Sequence, residues 1–268
     1  MKIIYRFSIQ SILLLTFAGN MFAQNTTTKT HRVFYGDIGL ELGIPMKEFA
    51  DSTNAIGFGF GGGVMYQPSN KVPLLIGGDL GFLVYGSNTQ RQTLYANITA
   101  GTTIIDQLSM PLKFETTNSM FNMHLRMRLQ APTTIIRPYV DGVAGFNSMF
   151  TSTSLYDESE QHYFSTADDP LITSSTESAD VTYQIGYGGG ILIDLVDNLH
   201  LNLQANYLYG GNISYFDANK TDNWDISLSS TSLSSPSNLS SSDLNFNAVP
   251  TTSKSDMLLF LLSVSFDF

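Results

Sequence analysis

Apolar and polar residues alternate along this chain with a period of two, and there is almost no helical pattern. Phe121, Met123, Leu125, Met127 and Leu129 share one face of a segment whose other face carries Asn122, His124, Arg126, Arg128 and Gln130. Leu199, Leu201, Leu203, Ala205, Tyr207 and Tyr209 repeat this against His200, Asn202, Gln204 and Asn206. The C-terminus does so again, with Leu258, Phe260, Leu262, Val264, Phe266 and Phe268 opposed by Ser263, Ser265 and Asp267. Side chains in a strand point alternately to opposite faces, so each segment is a strand with two unlike sides. Five weaker segments, near 34–44, 55–67, 72–86, 136–149 and 181–194, bring the set to eight strands of roughly 11 to 15 residues. Their second face is often glycine, as at Gly57, Gly59, Gly61 and Gly63.

The connections give the topology. Strands 2–3, 4–5 and 6–7 are joined by short turns at Pro68-Ser69-Asn70-Lys71, Ala131-Pro132-Thr133-Thr134 and Val196-Asp197-Asn198. The other connections are longer, the last three of roughly 30–45 residues, which is unusual inside a compact soluble domain. Alternating short and long connections are expected of a transmembrane barrel, with periplasmic turns at one end and extracellular loops at the other. The fold class read from this pattern is all-β: an antiparallel eight-stranded transmembrane β-barrel with long extracellular loops and short periplasmic turns. A further hairpin in the second or fourth loop would make ten strands.

A soluble lipocalin-type barrel would alternate in the same way, with its faces exchanged. Composition argues against it: only 13% of residues are charged, about half the usual share for a soluble domain. The polar faces carry Gly, Asn, Gln and Ser rather than Lys and Glu. Aromatics gather near strand ends, at Phe34, Tyr66, Tyr85, Tyr139, Tyr183, Tyr207 and Tyr209, as interface girdles do. A mean hydropathy of +0.02 excludes a multi-span helical membrane protein. The absence of cysteine excludes disulfides, thiolate metal sites and thiol catalysis. A net charge of −10 argues against a nucleic-acid partner.

Residues 1–23 read as a secretory signal peptide, with Lys2 and Arg6 before the apolar run Ile12-Leu13-Leu14-Leu15 and cleavage after Ala23. A polar arm, 24–32, precedes the barrel domain, 33–268.

On these residues the chain resembles the small eight-stranded outer-membrane barrels of the OmpA-transmembrane-domain and OmpX-like group. It is also similar to the "porin family" β-barrel proteins of Bacteroidetes. The run Phe260, Leu262, Val264, Phe266 and Phe268 resembles that group's C-terminal assembly signal. The resemblance implies location in the outer membrane of a Gram-negative cell. It also implies contact with outer-membrane lipid and lipopolysaccharide, and recognition by the barrel assembly machinery during biogenesis. It implies no particular activity.

If the apolar face meets lipid, the charges lie in the lumen: Asp37, Glu41, Asp79, Arg126, Arg128, Arg137, Asp141 and Asp194, with His124, His200 and Asp267. Isolated buried charges are costly, so an Asp79–Arg126–Asp141 cluster is expected, with Arg128 and Arg137 answering Glu41 and Asp194. Eight strands enclose an interior that side chains alone can fill, so this network reads as a plug rather than a pore.

No catalytic, cofactor-binding or metal site is assigned. His124 and His200 fall on lumen faces, and His31 lies in the arm. His162 sits in a third loop with Asp157, Glu158, Glu160, Asp168, Asp169, Glu177 and Asp180, which lacks the spacing of a known calcium or zinc motif. The fourth loop, with Trp224 and a serine-rich run over 227–242, reads as polar and flexible. The glycine runs at 61–63 and 188–190 open no helix and are not phosphate loops. The role expected is structural or surface interaction, such as adhesion or envelope integrity, carried by extracellular loops of a monomer that meet an extracellular partner. The alternative is porin-like or OmpW-like passive transport of small or hydrophobic solutes.

Overall fold

The structure, a computed structural model, describes residues 34–53, 55–69, 71–100, 102–133, 135–164, 170–216, 225–229, 232–233, 243–247 and 250–268. The signal peptide, the polar arm with His31, Asp168, Asp169, Trp224 and most of the serine-rich run lie outside the described residues. In chain order come β1 (Phe34–Pro45), the short helix α1 (Glu48–Ser52), β2 (Gly57–Tyr66), β3 (Leu74–Ala100), β4 (Thr103–Gln130) and β5 (Ile136–Asp157). Then follow β6 (Leu171–Val196), β7 (Leu199–Gly210), β8 (Asn212–Tyr215), β9 (Asp225–Leu228), β10 (Ser232–Leu233), β11 (Leu244–Asn247), β12 (Thr251–Lys254) and β13 (Met257–Asp267).

β1 to β7 and β13 form one closed ring. Each is antiparallel to the next, β13 pairs with both β7 and β1, and the β3–β4 ladder completes the circle. The seam runs to the last residue: Phe34 and Phe268 exchange backbone hydrogen bonds of 3.3 and 3.0 Å, and their rings stack at 6.0 Å. Of the three connections at the short-turn end, β6–β7 is the shortest, made by Asp197 and Asn198, and Asn198 takes φ 71. Asparagine tolerates that left-handed conformation, which explains its place there.

The faces are inverted relative to a soluble barrel. Ile38, Leu40, Phe60, Leu125, Met127, Val140, Tyr183, Leu203 and Val264 point outward, Leu125 with 75% of its surface exposed. Asn122, His124, Arg126, Arg128, Asp141, Gln184, Asn202 and Gln204 point inward and are buried. The outward apolar belt covers about nine residues per strand, Ile76–Val84 on β3 and Phe121–Leu129 on β4, the length a tilted strand needs to cross hydrocarbon. Phe34, Tyr66, Phe266 and Phe268 rim the belt at the turn end; Tyr183, Tyr187, Tyr207 and Tyr209 stand toward the loop end.

Two expectations change. Tyr85 and Tyr139 are not part of a girdle: both point inward and are buried. Tyr85 shares parity with Asp79, and its ring lies where side chains at Gly43 and Gly57 would stand. Tyr139 shares parity with Asp141 and donates to Asn202 Oδ1 at 2.5 Å. Nor are the strands uniformly short. β3, β4, β5 and β6 have 27, 28, 22 and 26 residues, so much of the second and third connections is strand. Beyond the belt Leu94, Ala96, Leu108, Met110, Leu112, Phe114 and Leu155 keep alternating inward and form a second apolar core. Tyr163, Phe164, Ile172, Leu228 and Leu244 pack against it, and burial of that face reinforces the backbone ladders that continue above the ring.

Glycines on β2 let side chains of other strands lie over that wall. A methyl group at Gly59 would collide with the carbonyl oxygen of Phe82, whereas one at Gly142 meets nothing within 4 Å. Gly59→Ala is therefore expected to lower barrel stability by about 1–3 kcal/mol and Gly142→Ala to leave it unchanged, read from urea unfolding midpoints in detergent micelles. Equal midpoints for the two variants would contradict this packing.

Candidate functional site

The lumen holds a continuous polar network in its middle. Asp79 of β3 faces His124 and Arg126 of β4: Oδ1 lies 2.9 Å from His124 Nδ1, and Oδ2 lies 2.8 Å from Arg126 Nη2. His124 Nε2 is 2.8 Å from Gln184 Oε1 on β6. Arg126 Nη1 donates to Gln204 Oε1 on β7 at 2.9 Å, and Arg126 Nε is 3.9 Å from Asp141 Oδ2. Arg128 donates from Nε and Nη2 to the two oxygens of Asp141, each at 2.9 Å, and its guanidinium lies 3.5 Å from the centroid of the Tyr139 ring. Side chains from five strands thus meet across the axis. Charge-assisted, two-pronged bonds of this kind offset the desolvation of the ions.

Nearer the turn end, Arg137 Nε donates to Asp194 Oδ1 at 3.0 Å. His200 lies between Asp194 at 2.8 Å and Asp267 at 3.0 Å. Glu41 and Asp37 stand apart from both groups. Glu41 Oε2 and Asp37 Oδ1 are buried and meet no hydrogen-bond partner among the described residues. The expectation that Arg128 answers Glu41 or Asp194 is thus replaced. Arg128 sits directly opposite Asp141 in the β4–β5 register, so the pair forms without either side chain crossing the lumen. Glu41 folds instead into the space left by Gly61 and Gly81.

Above this network the lumen becomes apolar. Leu83, Tyr85, Met120, Met149, Leu208, Met257 and Leu259 project from the wall, and Phe49 of α1 with Ile213 and Tyr215 of β8 covers them. The Phe49 ring meets Tyr85 at 5.5 Å and Tyr215 at 5.8 Å, edge to face. Sequence reasoning did not find this cap. Its signal is the loss of alternation where both strand faces turn apolar, at Phe82-Leu83-Val84, Met120-Phe121 and Met257 to Leu262.

The acidic third connection is also more ordered than its composition implied. Asp157 is buried, and its oxygens accept the backbone N–H groups of Ser159 and Phe164, each at 2.9 Å. Glu158 takes a forked bond from Arg91 of β3, with contacts of 2.9 and 3.2 Å. Asp180 accepts from Ser214 N at 2.8 Å, tying β6 to β8. Among the described residues no three His, Asp or Glu side chains gather to hold a metal ion.

A closed ring that is polar within and apolar without is a transmembrane β-barrel, here of eight antiparallel strands. No family model and no curated protein matches the chain. Among solved structures it is similar to Ail, the attachment invasion locus protein of Yersinia pestis, determined in complex with the heparin analogue sucrose octasulfate. Identity is 10%, covering 89% of this chain and 100% of that one, with a TM-score of 0.41. It is also similar to Neisserial surface protein A, at 12% identity over 88% of this chain and 97% of the other, with a TM-score of 0.39. These likenesses concern the fold alone.

With the axis spanned by Arg126, Arg128 and Tyr139 and the loop end closed by Phe49 and Tyr215, the refolded chain is expected to show no steady single-channel conductance in a planar bilayer. Regular openings would mean that the network or the cap is not closed.

Proposed function

We propose that this chain is a monomeric outer-membrane protein of a Gram-negative envelope whose barrel is an anchor and whose work is surface interaction, in adhesion or envelope integrity, without enzymatic activity. The observation that carries the reading is the rigid wall that β3 to β6 raise beyond the apolar belt. It has its own apolar core, an Arg91–Glu158 clamp, and an outer face rich in Ser and Thr. Tyr95, Ile104 and Ile105 are exposed toward its tip, each by more than half. Such a wall presents side chains in fixed positions, as a binding surface requires. Its partner is extracellular, and its sides meet outer-membrane lipid and lipopolysaccharide. Passive transport is the weaker reading, because the lumen is closed at two levels.

The proposal includes export by a signal peptide ending near Ala23, a polar arm over 24–32, and kinship with the "porin family" barrels of Bacteroidetes. It also assigns Phe260, Leu262, Val264, Phe266 and Phe268 as the segment read by the barrel assembly machinery. The first four stand on the outward face of β13, and Phe268, one residue beyond it, closes the seam onto Phe34.

Shortening the β3–β4 hairpin by removing 88–116 is expected to abolish adhesion to the surface partner while the barrel still migrates as a heat-modifiable folded species. Retained adhesion in that variant would rule out the wall as the working surface. Deleting Phe268 alone is expected to lower the amount of barrel in the outer-membrane fraction several-fold; wild-type levels would refute the assignment of the C-terminal segment.

A further inference from the structure

One stretch of the outer wall differs from the rest of the belt. Near the loop end, Tyr187 of β6 and Tyr207 and Tyr209 of β7 stand side by side, facing outward. Their ring centroids are 6.4, 6.2 and 4.7 Å apart, and Tyr187 is 62% exposed. Lys47, between β1 and α1, leans out of the barrel over two of these rings, with Nζ 5.5 Å from the Tyr207 centroid and 4.9 Å from that of Tyr209. Its backbone has φ 53, a conformation rare outside glycine, so the chain holds this residue in an unusual pose that directs it outward.

The lysine is pegged in place. Nζ donates to Asp256 Oδ2 at 2.9 Å beside the Tyr207 and Tyr209 rings. Asp256 is itself buried and fixed, its Oδ1 accepting the Gly210 N–H at 3.0 Å. The bond to Asp256 raises the ammonium above its ordinary pKa, so it keeps its charge at any physiological pH.

Counting donors shows what the site can take. An ammonium has three N–H groups, and one is engaged by Asp256; the side chain remains 56% exposed. Tyr187, Tyr207 and Tyr209 each carry a phenolic O–H. An ammonium with open N–H groups and three phenol groups thus stand together on the outer wall; the buried Asp256 holds the ammonium from the barrel side, and Glu48 is drawn to Lys254 at 3.7 Å. A ligand with several acceptor oxygens fits, and a phosphate group has them. The site is continuous with the apolar wall below it, where Leu203 faces outward beside its register partner Ile191. A lipid whose acyl chains lie on that wall sets its headgroup at this height.

We propose that Lys47, Tyr187, Tyr207 and Tyr209 bind the headgroup phosphate of one phosphorylated glycolipid of the lipid A type in the outer leaflet. This rests on the membrane reading above and names one partner of the barrel wall.

The test is native mass spectrometry of the full mature chain, extracted from phosphatidylcholine vesicles doped with lipid A, dephosphorylated lipid A or phosphatidylglycerol. One lipid A per barrel is expected, retained about tenfold better than the dephosphorylated form or phosphatidylglycerol, a difference of about 1.4 kcal/mol. Lys47→Ala and the double variant Tyr207→Phe with Tyr209→Phe should each lose that preference, Lys47→Arg should keep it, and all should remain heat-modifiable. Equal retention of lipid A and its dephosphorylated form overturns the site, as does unchanged retention in Lys47→Ala. Retention of phosphatidylglycerol equal to lipid A overturns the glycolipid assignment. A chain that never enters the vesicles would instead remove the membrane reading itself.

Discussion

The pairing of backbone hydrogen bonds is the constraint from which this structure follows. A strand whose outer face is apolar cannot leave N–H and C=O groups unpaired in hydrocarbon, so its sheet must have no edge. The chain meets this by closing β13 onto β1 along eleven registered pairs, down to Phe34 and Phe268. Closure of eight strands makes a narrow interior, and a narrow interior dictates the rest. The face that cannot meet lipid must hold the polar side chains, and those side chains must satisfy one another.

The central ion pairs do so through geometry set by register, whereas Glu41 and Asp37 keep a buried oxygen without a hydrogen-bond partner among the described residues. Arg128 and Asp141 lie opposite each other on adjacent strands, so their forked bond needs no reach. Asp79 and His124 are register partners too, and Arg126 spans from Asp79 to Gln204 on the far wall. The glycines of β2 are the counterpart of this crowding. Where β2 contributes no side chain, Tyr85 and the carboxylate of Glu41 from other strands occupy the space. Removing either partner of such a buried pair leaves an uncompensated buried charge, which is strongly destabilising.

Much of this was legible in the sequence because period two is a local signal. Parity alone places Leu125 outside and Arg126 inside, and the turns at 131–134 and 197–198 follow from their proline, threonine and asparagine. What parity cannot give is reach. Arg128 was free, on pattern alone, to answer any carboxylate in the lumen; only the register names Asp141. Tyr85 and Tyr139 share the ring chemistry of girdle residues, and their inward direction depends on where strand parity starts. The long hairpin of β3 and β4 was hidden for another reason. Its inward residues, Leu108, Met110, Leu112 and Phe114, alternate as cleanly as those of the belt, but their outward partners are Ser109, Pro111, Lys113 and Glu115, which read as loop. The same composition change marks where the lipid-facing wall ends and the water-facing wall begins.

The account stands or falls on which face of the ring meets lipid. Nitroxide labels placed singly at Leu125 and Leu203 on the outer wall, and at Asn122 in the lumen, with the chain in lipid vesicles, would read this directly by paramagnetic accessibility. The account predicts that the labels at Leu125 and Leu203 collide with dissolved oxygen and are shielded from a water-soluble nickel chelate, while the label at Asn122 is shielded from both. Strong nickel collisions at Leu125 and Leu203 would contradict it, because the apolar belt would then face water.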